Sequence, residues 1–437
     1  MKKLPGVRTP HRKNTANDPA EKLPIPPLVR IPMAMHIGAP AKLIVAPGDA
    51  VKVGQLIGEA DGFVSSPVHS SVSGTVKSVE TSDAATGENG VFAVIETDGL
   101  QTPLETLAPP IVGTREEFIA AVRDSGVVGL GGAGFPTAVK LSVKDVAAVE
   151  YIIINGAECE PYITSDTRTM TDDLDLLWEG IRLLKRFFSA KILIGVESNK
   201  PEPIKLMTAR AETEPLARVC PLPPVYPQGG EKVLIYNLTG RVVPEGKLPI
   251  DVGCIVINCT TLAAVARYIL TGMPLVEKRV TVDGSAVKNP KNVIAPIGTP
   301  VSALLDFCGG LGEDVGKLLL GGPMMGVAIP DASVPIKKST NAVTALNARD
   351  ARAPEPSACI RCGNCITHCP LGLVTVDIQN LYLAGKIESL SVYRPNLCME
   401  CGCCAFSCPA KRPLTQYMKL AKAALRNHEA AKQQSVN

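Results

Sequence analysis

Eight cysteines near the end of the chain carry the most specific chemistry. The stretch 359–370 reads CIRCGNCITHCP and the stretch 398–409 reads CMECGCCAFSCP. Each repeats the spacing C-x2-C-x2-C-x3-C-P, in which three thiolates take three corners of an iron–sulfur cubane and the fourth reaches the other cluster. Cys359, Cys362, Cys365 and Cys408 are thus expected on one [4Fe-4S] cluster, and Cys398, Cys401, Cys404 and Cys369 on a second. Pro370 and Pro409 then turn the chain away. A zinc ribbon needs only four sulfurs in a closed tetrahedron. A disulfide framework belongs to small secreted chains. Neither accounts for a third and fourth cysteine in both runs. Cys403, beside Cys404, reads as a non-ligand. Cys159, Cys220, Cys254, Cys259 and Cys308 are scattered, and default to small buried hydrophobes.

The second informative stretch is SGVVGLGGAGFPTAVK, ending at Lys140. Gly129, Gly131 and Gly134 satisfy G-x-G-x-x-G, with Gly132 between them. A helical pattern precedes them where the dinucleotide fingerprint wants a strand, so the motif alone is weak. The physics still applies. Adjacent glycines let backbone N–H groups approach a phosphate, a helix after Pro136 points its positive end at it, and Lys140 adds charge. Three later segments supply polar groups. NGAECEP carries Asn155, Glu158 and Glu160; YPQGGEK carries Tyr226 and Glu231; NCTTLAAV carries Asn258, Thr260 and Thr261.

The elements that position these groups alternate. A helix over 114–125 with Phe118, Ile119 and Val122 on one face precedes the glycines. Apolar strands follow at 151–154 and at KILIGVE, with helices near 174–188 and 203–212, and a last strand ends at Asn258. Strand–helix alternation predicts an α/β block that delivers polar groups to the carboxyl edge of its sheet. Before it, 25–103 are short strands punctuated by Gly and Pro. After it, the text is linker-like at 347–358, and from Leu414 onward Tyr417, Met418, Ala421 and Leu425 fall at helical spacing. That last helix is expected to pack on the cysteine region, a membrane-surface role being the alternative. The first thirteen residues hold Lys2, Lys3, Arg8, Arg12 and Lys13 without an acid. A solvated, frayed tail is expected there, with contact to an anionic surface as the sharper reading.

The 437 residues leave room for several domains, and 46% hydrophobic with 20% charged residues describe an ordinary globular core. A net charge of +3 gives no nucleic-acid signal. No apolar run approaches the ~18 residues of a spanning helix; Leu318 to Pro330 is broken by Gly321, Gly322 and Pro323. With 14 cysteines and no secretory leader read at the start, the expected compartment is reducing.

Three resemblances join these pieces. LIVAPGDAVKVGQLIGEADGFVSSPVHSSVSGTVKSVE resembles the biotinyl/lipoyl barrel-sandwich hybrid through Pro47-Gly48-Asp49, Gly54-Gln55, Pro67 and Gly74. Where carriers present a lysine, this chain has Asp61-Gly62-Phe63-Val64, so a docking or structural piece is implied rather than a swinging arm. GGAGFPTAVK, NGAECEP, YPQGGEK and NCTTLAAV, in this order, resemble the flavin block of the complex I subunit that oxidises NADH, and more closely the RnfC family of the Rnf electron-transport complex. Residues 276–310 resemble the small β-grasp domain that follows in those relatives, with GGPMMG at 321–326 as a return segment in which Met324 and Met325 read as packing residues.

The fold implied is multidomain α/β and α+β. It comprises a basic tail (1–24), a barrel-sandwich hybrid (25–110), an FMN/NADH-binding α/β domain (111–272), a β-grasp domain with return segment (273–346), a linker (347–358) and an α-helical two-[4Fe-4S] ferredoxin-like domain with its terminal helix (359–437). The resemblance implies that Gly129, Gly131, Gly132, Gly134 and Lys140 cradle FMN. It implies that Asn155, Asn258, Thr260 and Thr261 hydrogen-bond the flavin, and that Phe135, Glu160 and Glu231 flank the nicotinamide nucleotide; Glu158 and Tyr226 belong to the same loops. One departure stands out: Ala157 occupies the position where the complex I subunit has an extra Asp. The implied reaction is hydride transfer from NADH to non-covalent FMN, followed by single-electron exit through the clusters. The implied partners are ferredoxin and the other subunits of a membrane complex on its cytoplasmic face, with ion transport in those partners. A microcompartment cobalamin reductase shares the parts in a different order, and a non-enzymatic electron-transfer module is the remaining alternative.

Overall fold

The computed structural model describes residues 3–82 and 90–436. Four sheets organise it, two of them making the first module. Leu28–Pro32, Gly90–Thr97, Gly74–Ser82 and Ala50–Val51 form an antiparallel sheet in that order, facing a second of Lys42–Leu43, Leu56–Glu59 and Val68–His69. Val29, Ile31, Ile57, Val68 and Ile95 fill the space between and are 0% exposed. Gly74 holds φ 153°, and a Cβ there would stand 2.1 Å from the Glu96 carbonyl, so the sharp strand start requires glycine. The turn that carries no lysine presents Phe63 to solvent.

The second module is a parallel sheet in the order Arg218–Leu222, Lys191–Glu197, Tyr151–Gly156, Cys254–Asn258. Near-continuous apolar runs such as YIII and CIVI form its strands because helices cover both faces. Arg115–Asp124 starts on a capping box between Thr114 and Glu117, and Leu174–Phe187 packs on Cys259–Thr271 with Gly180 against Leu262. Chain order reverses between Tyr151–Gly156 and Cys254–Asn258. That makes their carboxyl ends the switch point where open α/β sheets bind ligands.

The fourth sheet runs Glu21–Lys22, Lys291–Pro296, Glu277–Asp283, Ala342–Asn347, Val315–Leu320, Val327–Ile329, with Val301–Phe307 on its face. The chain then makes one helical turn, Ala348–Ala351, inside the stretch read as linker, and is exposed from 352 to 362. Short helices Asn364–Thr367, Thr375–Leu383, Leu390–Tyr393 and Cys403–Phe406 carry the cysteine region. Leu414–Val436 lies along them, burying Met418, Ala421 and Leu425 against Ile378 and Leu390. Its apolar stripe is therefore already covered by protein.

The N-terminal segment departs from the frayed tail expected of its charges. Of its basic residues only Lys2 lies outside the described residues. Val7 pairs with Tyr226 through N–H···O bonds of 2.8 and 2.9 Å in the two directions, and Thr15 is buried against Thr164. Arg12 bonds Tyr162 and reaches Asp350 at 2.9 Å, and Glu21–Lys22 then joins the fourth sheet. Lys13 is desolvated here without a net loss of partners, because three backbone carbonyls replace its water.

Candidate functional site

Asn155 and Asn258 are register partners at the switch point. Asn258 caps the helix Cys259–Thr271: its Oδ1 accepts from Thr261 N–H at 3.1 Å, and its Nδ2 donates to Asp166 at 2.7 Å. The Thr260 hydroxyl donates to the other Asp166 oxygen at 2.6 Å. The Thr261 hydroxyl accepts from Leu130 N–H at 2.9 Å, which ties the glycine loop to this helix start. The loop closes on itself through Gly129 N–H to the Phe135 carbonyl (2.8 Å) and Gly134 N–H to the Gly129 carbonyl (3.2 Å). Gly131, Gly132 and Ala133 are left as an exposed crown almost without side chains. A Cβ on Gly131 would stand 2.8 Å from Asn258 Nδ2, closer than real Cβ contacts allow. Lys140, in the five-residue helix Thr137–Leu141, pairs with Glu231 at 2.9 Å and also reaches the Val256 carbonyl. Phe135 is half-buried beside the loop.

The segment after Asn155 is held from several sides. Asn155 donates to the Gly229 carbonyl at 2.9 Å and accepts from Ala157 N–H at 3.1 Å. Glu158, with φ 46°, turns its carboxylate onto the start of Ser165–Asp172, accepting from the N–H of Asp166 (2.6 Å) and Thr167 (3.2 Å). Burial raises its pKa against these bonds. Glu160 accepts from the N–H groups of Met324 (3.0 Å) and Met325 (2.7 Å), and burial pushes its pKa up to about 6. Lys200, buried, donates to the Ala157 carbonyl at 2.7 Å and pairs with Glu197.

Thus one chain of contacts joins the glycine loop, Thr261, Asn258, Asn155, Glu231 and Lys140, while Glu158, Glu160 and Thr260 bond to protein partners beside it. Tyr226 is turned away too: its hydroxyl donates to the Cys401 carbonyl at 2.7 Å. Sequence reasoning missed Asp166, Lys13 and Lys200. Only Asp166 left a signal, as an acid in the first turn of a polar helix.

Cys369, Cys398, Cys401 and Cys404 line a single small cavity of about 20 Å³, with Cys403 and Thr415 also in its wall. Backbone N–H groups point at these sulfurs, from Leu373 to Cys369 (3.4 Å) and from Glu400 to Cys398 (3.3 Å). Such N–H···S contacts are what a cluster's thiolates need in a dry setting. In the other set, Cys365 and Cys408 are buried in an apolar cluster with Leu414, while Cys359 and Cys362 are exposed. All 14 cysteines are free thiols. Among the described residues no three His, Cys, Asp or Glu side chains converge on a single ion. A cubane asks for something different, four thiolates each on its own iron around a central body. The four sulfurs of the Cys369 set line one cavity, the donor chemistry that such a body asks for.

Residues 2–100 match the RnfC barrel sandwich hybrid domain, 122–267 the Nuo51 FMN-binding domain and 279–328 the SLBB domain. With the parallel sheet and its polar switch point, these modules define a subunit of an oxidoreductase. The C component of the Na(+)-translocating ferredoxin:NAD(+) oxidoreductase complex of Acetobacterium woodii is 42% identical over 85% of this chain and 85% of its own. The proton-translocating counterpart of Clostridium ljungdahlii is 41% identical over 94% of this chain and 91% of its own. The C component of the ion-translocating oxidoreductase complex of Rhodobacter capsulatus is 38% identical over 97% and 83%. The chain belongs to this RnfC family of complex subunits. A solved NAD+-reducing [NiFe]-hydrogenase in the H2-reduced state shares the fold at TM-score 0.50 and 19% identity, over 71% of this chain and less than two thirds (63%) of that one.

Proposed function

We propose that this chain is the NADH-oxidising electron-input subunit of a membrane-bound Rnf-type NADH:ferredoxin oxidoreductase, on the cytoplasmic face, with ion transport in partner subunits. Among the described residues no helix is long and apolar enough to cross a membrane, so attachment is assigned to docking. The observation that carries the reading is the bare crown of Gly131 and Gly132 beside Asn155 and Asn258, on a loop system whose far end touches a cysteine-lined cavity.

In this reading the N–H groups of the glycine loop and the Lys140 ammonium would hold the FMN phosphate, and Asn155 and Asn258 would border the ring, with Thr261 tying Asn258 to the loop. Bound FMN supplies the conversion between a two-electron hydride donor and one-electron clusters. Phe135 and Glu231 would flank the nicotinamide nucleotide. Lys140 is shared between Glu231 and the phosphate, so an arriving anion competes for it. Glu160 and Thr260, engaged by Met324, Met325 and Asp166, support the loops instead of touching ligand. Hydride transfer needs no proton shuttle, and positioning is the protein's contribution.

The test uses anaerobically purified full chain. Iron analysis is expected to return about eight iron, from two cubanes of four; four or fewer after reconstitution contradicts the two-cluster assignment. Cys365→Ala should leave NADH bleaching of the flavin near its native rate in stopped flow while transfer to a ferredoxin-type acceptor falls sharply. Loss of bleaching in a folded, FMN-loaded protein would reverse the proposed order.

A further inference from the structure

Tyr226 is buried, 2% exposed, and held at both ends. Its backbone pairs with Val7, and its hydroxyl donates to the carbonyl of Cys401 at 2.7 Å. The Cys403 thiol points back at the Tyr226 carbonyl at 3.7 Å. The two loops touch closely enough that a Cβ on Gly230 would meet Met399 Cε at 2.2 Å. At its other end the 226–231 segment receives the Asn155 side chain at Gly229 and supplies Glu231 to Lys140. One short stretch therefore joins the glycine-loop site to the backbone of a cluster thiolate. The other cysteine set has no comparable enclosure, since Cys359 and Cys362 are exposed.

From this geometry we infer that Tyr226 is a positioning residue for the iron–sulfur centre of Cys369, Cys398, Cys401 and Cys404: it holds that centre against the flavin-side loop and raises its reduction potential. The inference rests on the two-cluster reading above. The Cys401 carbonyl directs its negative end into a dry interface, where an unscreened dipole acts strongly. An O–H donor withdraws part of that negative charge and so eases the arrival of an electron. Cys403 takes part in the same contact from the cluster side, which accounts for a buried cysteine outside the spacing motif.

The experiment is a redox titration of the full chain followed by EPR, with Cys359→Ala used to assign which signal belongs to which centre. Tyr226→Phe removes one oxygen and keeps the ring. The expected result is a downward shift of the Cys369-set potential alone, at native iron and flavin content. Replacing Tyr226 with 3-fluorotyrosine makes a stronger donor and should move the same potential upward. A merely structural role would not reverse sign between the two. Unchanged potentials in both iron-loaded variants overturn the inference, as does a shift confined to the other centre. Should Tyr226→Phe lose iron, an unmoved potential in the fluorotyrosine protein still overturns it. Four or fewer irons in the native chain bring down the two-cluster reading, and this inference with it.

Discussion

The ammonium of Lys13 stands 2.8 Å from the carbonyl oxygen of Glu158. It also donates to the carbonyls of Glu160 (2.8 Å) and Ile163 (2.5 Å), while Lys200 takes the Ala157 carbonyl from the opposite side. Two cations, the half-buried Lys13 and the buried Lys200, thus gather the carbonyls of the segment that follows Asn155. Its left-handed Glu158 would be strained if left alone. Desolvation lowers the Lys13 pKa, and the Glu158 carboxylate opposes that shift. The N-terminal strap is thereby part of the site's frame.

Lys13→Met keeps the length and removes the donors. Each buried carbonyl left without a partner costs about 1–3 kcal/mol. Amide exchange across 157–163 should therefore accelerate by roughly tenfold or more, and FMN should bind more weakly, while exchange in the Leu28–Pro32 sheet stays native. Unchanged protection across 157–163 would show that the strap is decoration.

What the sequence displays well are patterns internal to one element. KILIGVE coincides with the strand Lys191–Glu197, and the cysteine spacing predicts the set that lines the cavity. Contacts between distant segments are not written that way. An isolated Lys13 among other charges looks solvated because its three carbonyl partners lie about 150 residues away. Tyr226 sits in a nucleotide-type motif, yet its hydroxyl faces Cys401, which no periodicity reports. Glu160 looks free until the Met324–Met325 turn folds onto it. Asp166 escapes notice because polar residues at a helix start are ordinary, and only the fold brings Asn258 and Thr260 to it.

Gly131→Ala tests the crown of the glycine loop. Its Cβ would lie 2.8 Å from Asn258 Nδ2 and 3.0 Å from Cγ, so either the loop or Asn258 must move. Asn258 caps a helix, and losing that cap costs about 1 kcal/mol. A folded protein is expected, with a modest drop in thermal midpoint and flavin content reduced at least tenfold. A flavin-to-protein ratio near native would remove the loop from the site.

Lys338 supplies a test by pH. It is 0% exposed and donates to the carbonyls of Pro67 (2.5 Å) and Gly126 (2.7 Å), joining the first module to the segment that leads into the glycine loop. Its acceptors, two carbonyls and the Ser66 hydroxyl at 3.4 Å, are neutral, and its histidine neighbours bring no negative charge. Burial and then Lys338 itself lower the pKa of both His36 and His69, the latter to about 3. Burial lowers the Lys338 pKa from 10.5 to about 7. Below pH 7 folded and unfolded chains both carry the proton, and the fold bears the full cost of the buried charge. Between about 7 and 10.5 the unfolded chain binds a proton that the folded one lacks, so native stability rises with pH by up to about 1.4 kcal/mol per unit. Lys338→Met leaves the two carbonyls short of a donor, a constant offset, and removes the slope. Thermal midpoints of the two proteins should therefore separate in favour of the wild type as pH climbs from 7 to 9, a range above the titration of His36. Parallel curves over that range would mean that Lys338 stays charged in the fold and that the crossing of the three segments is solvated.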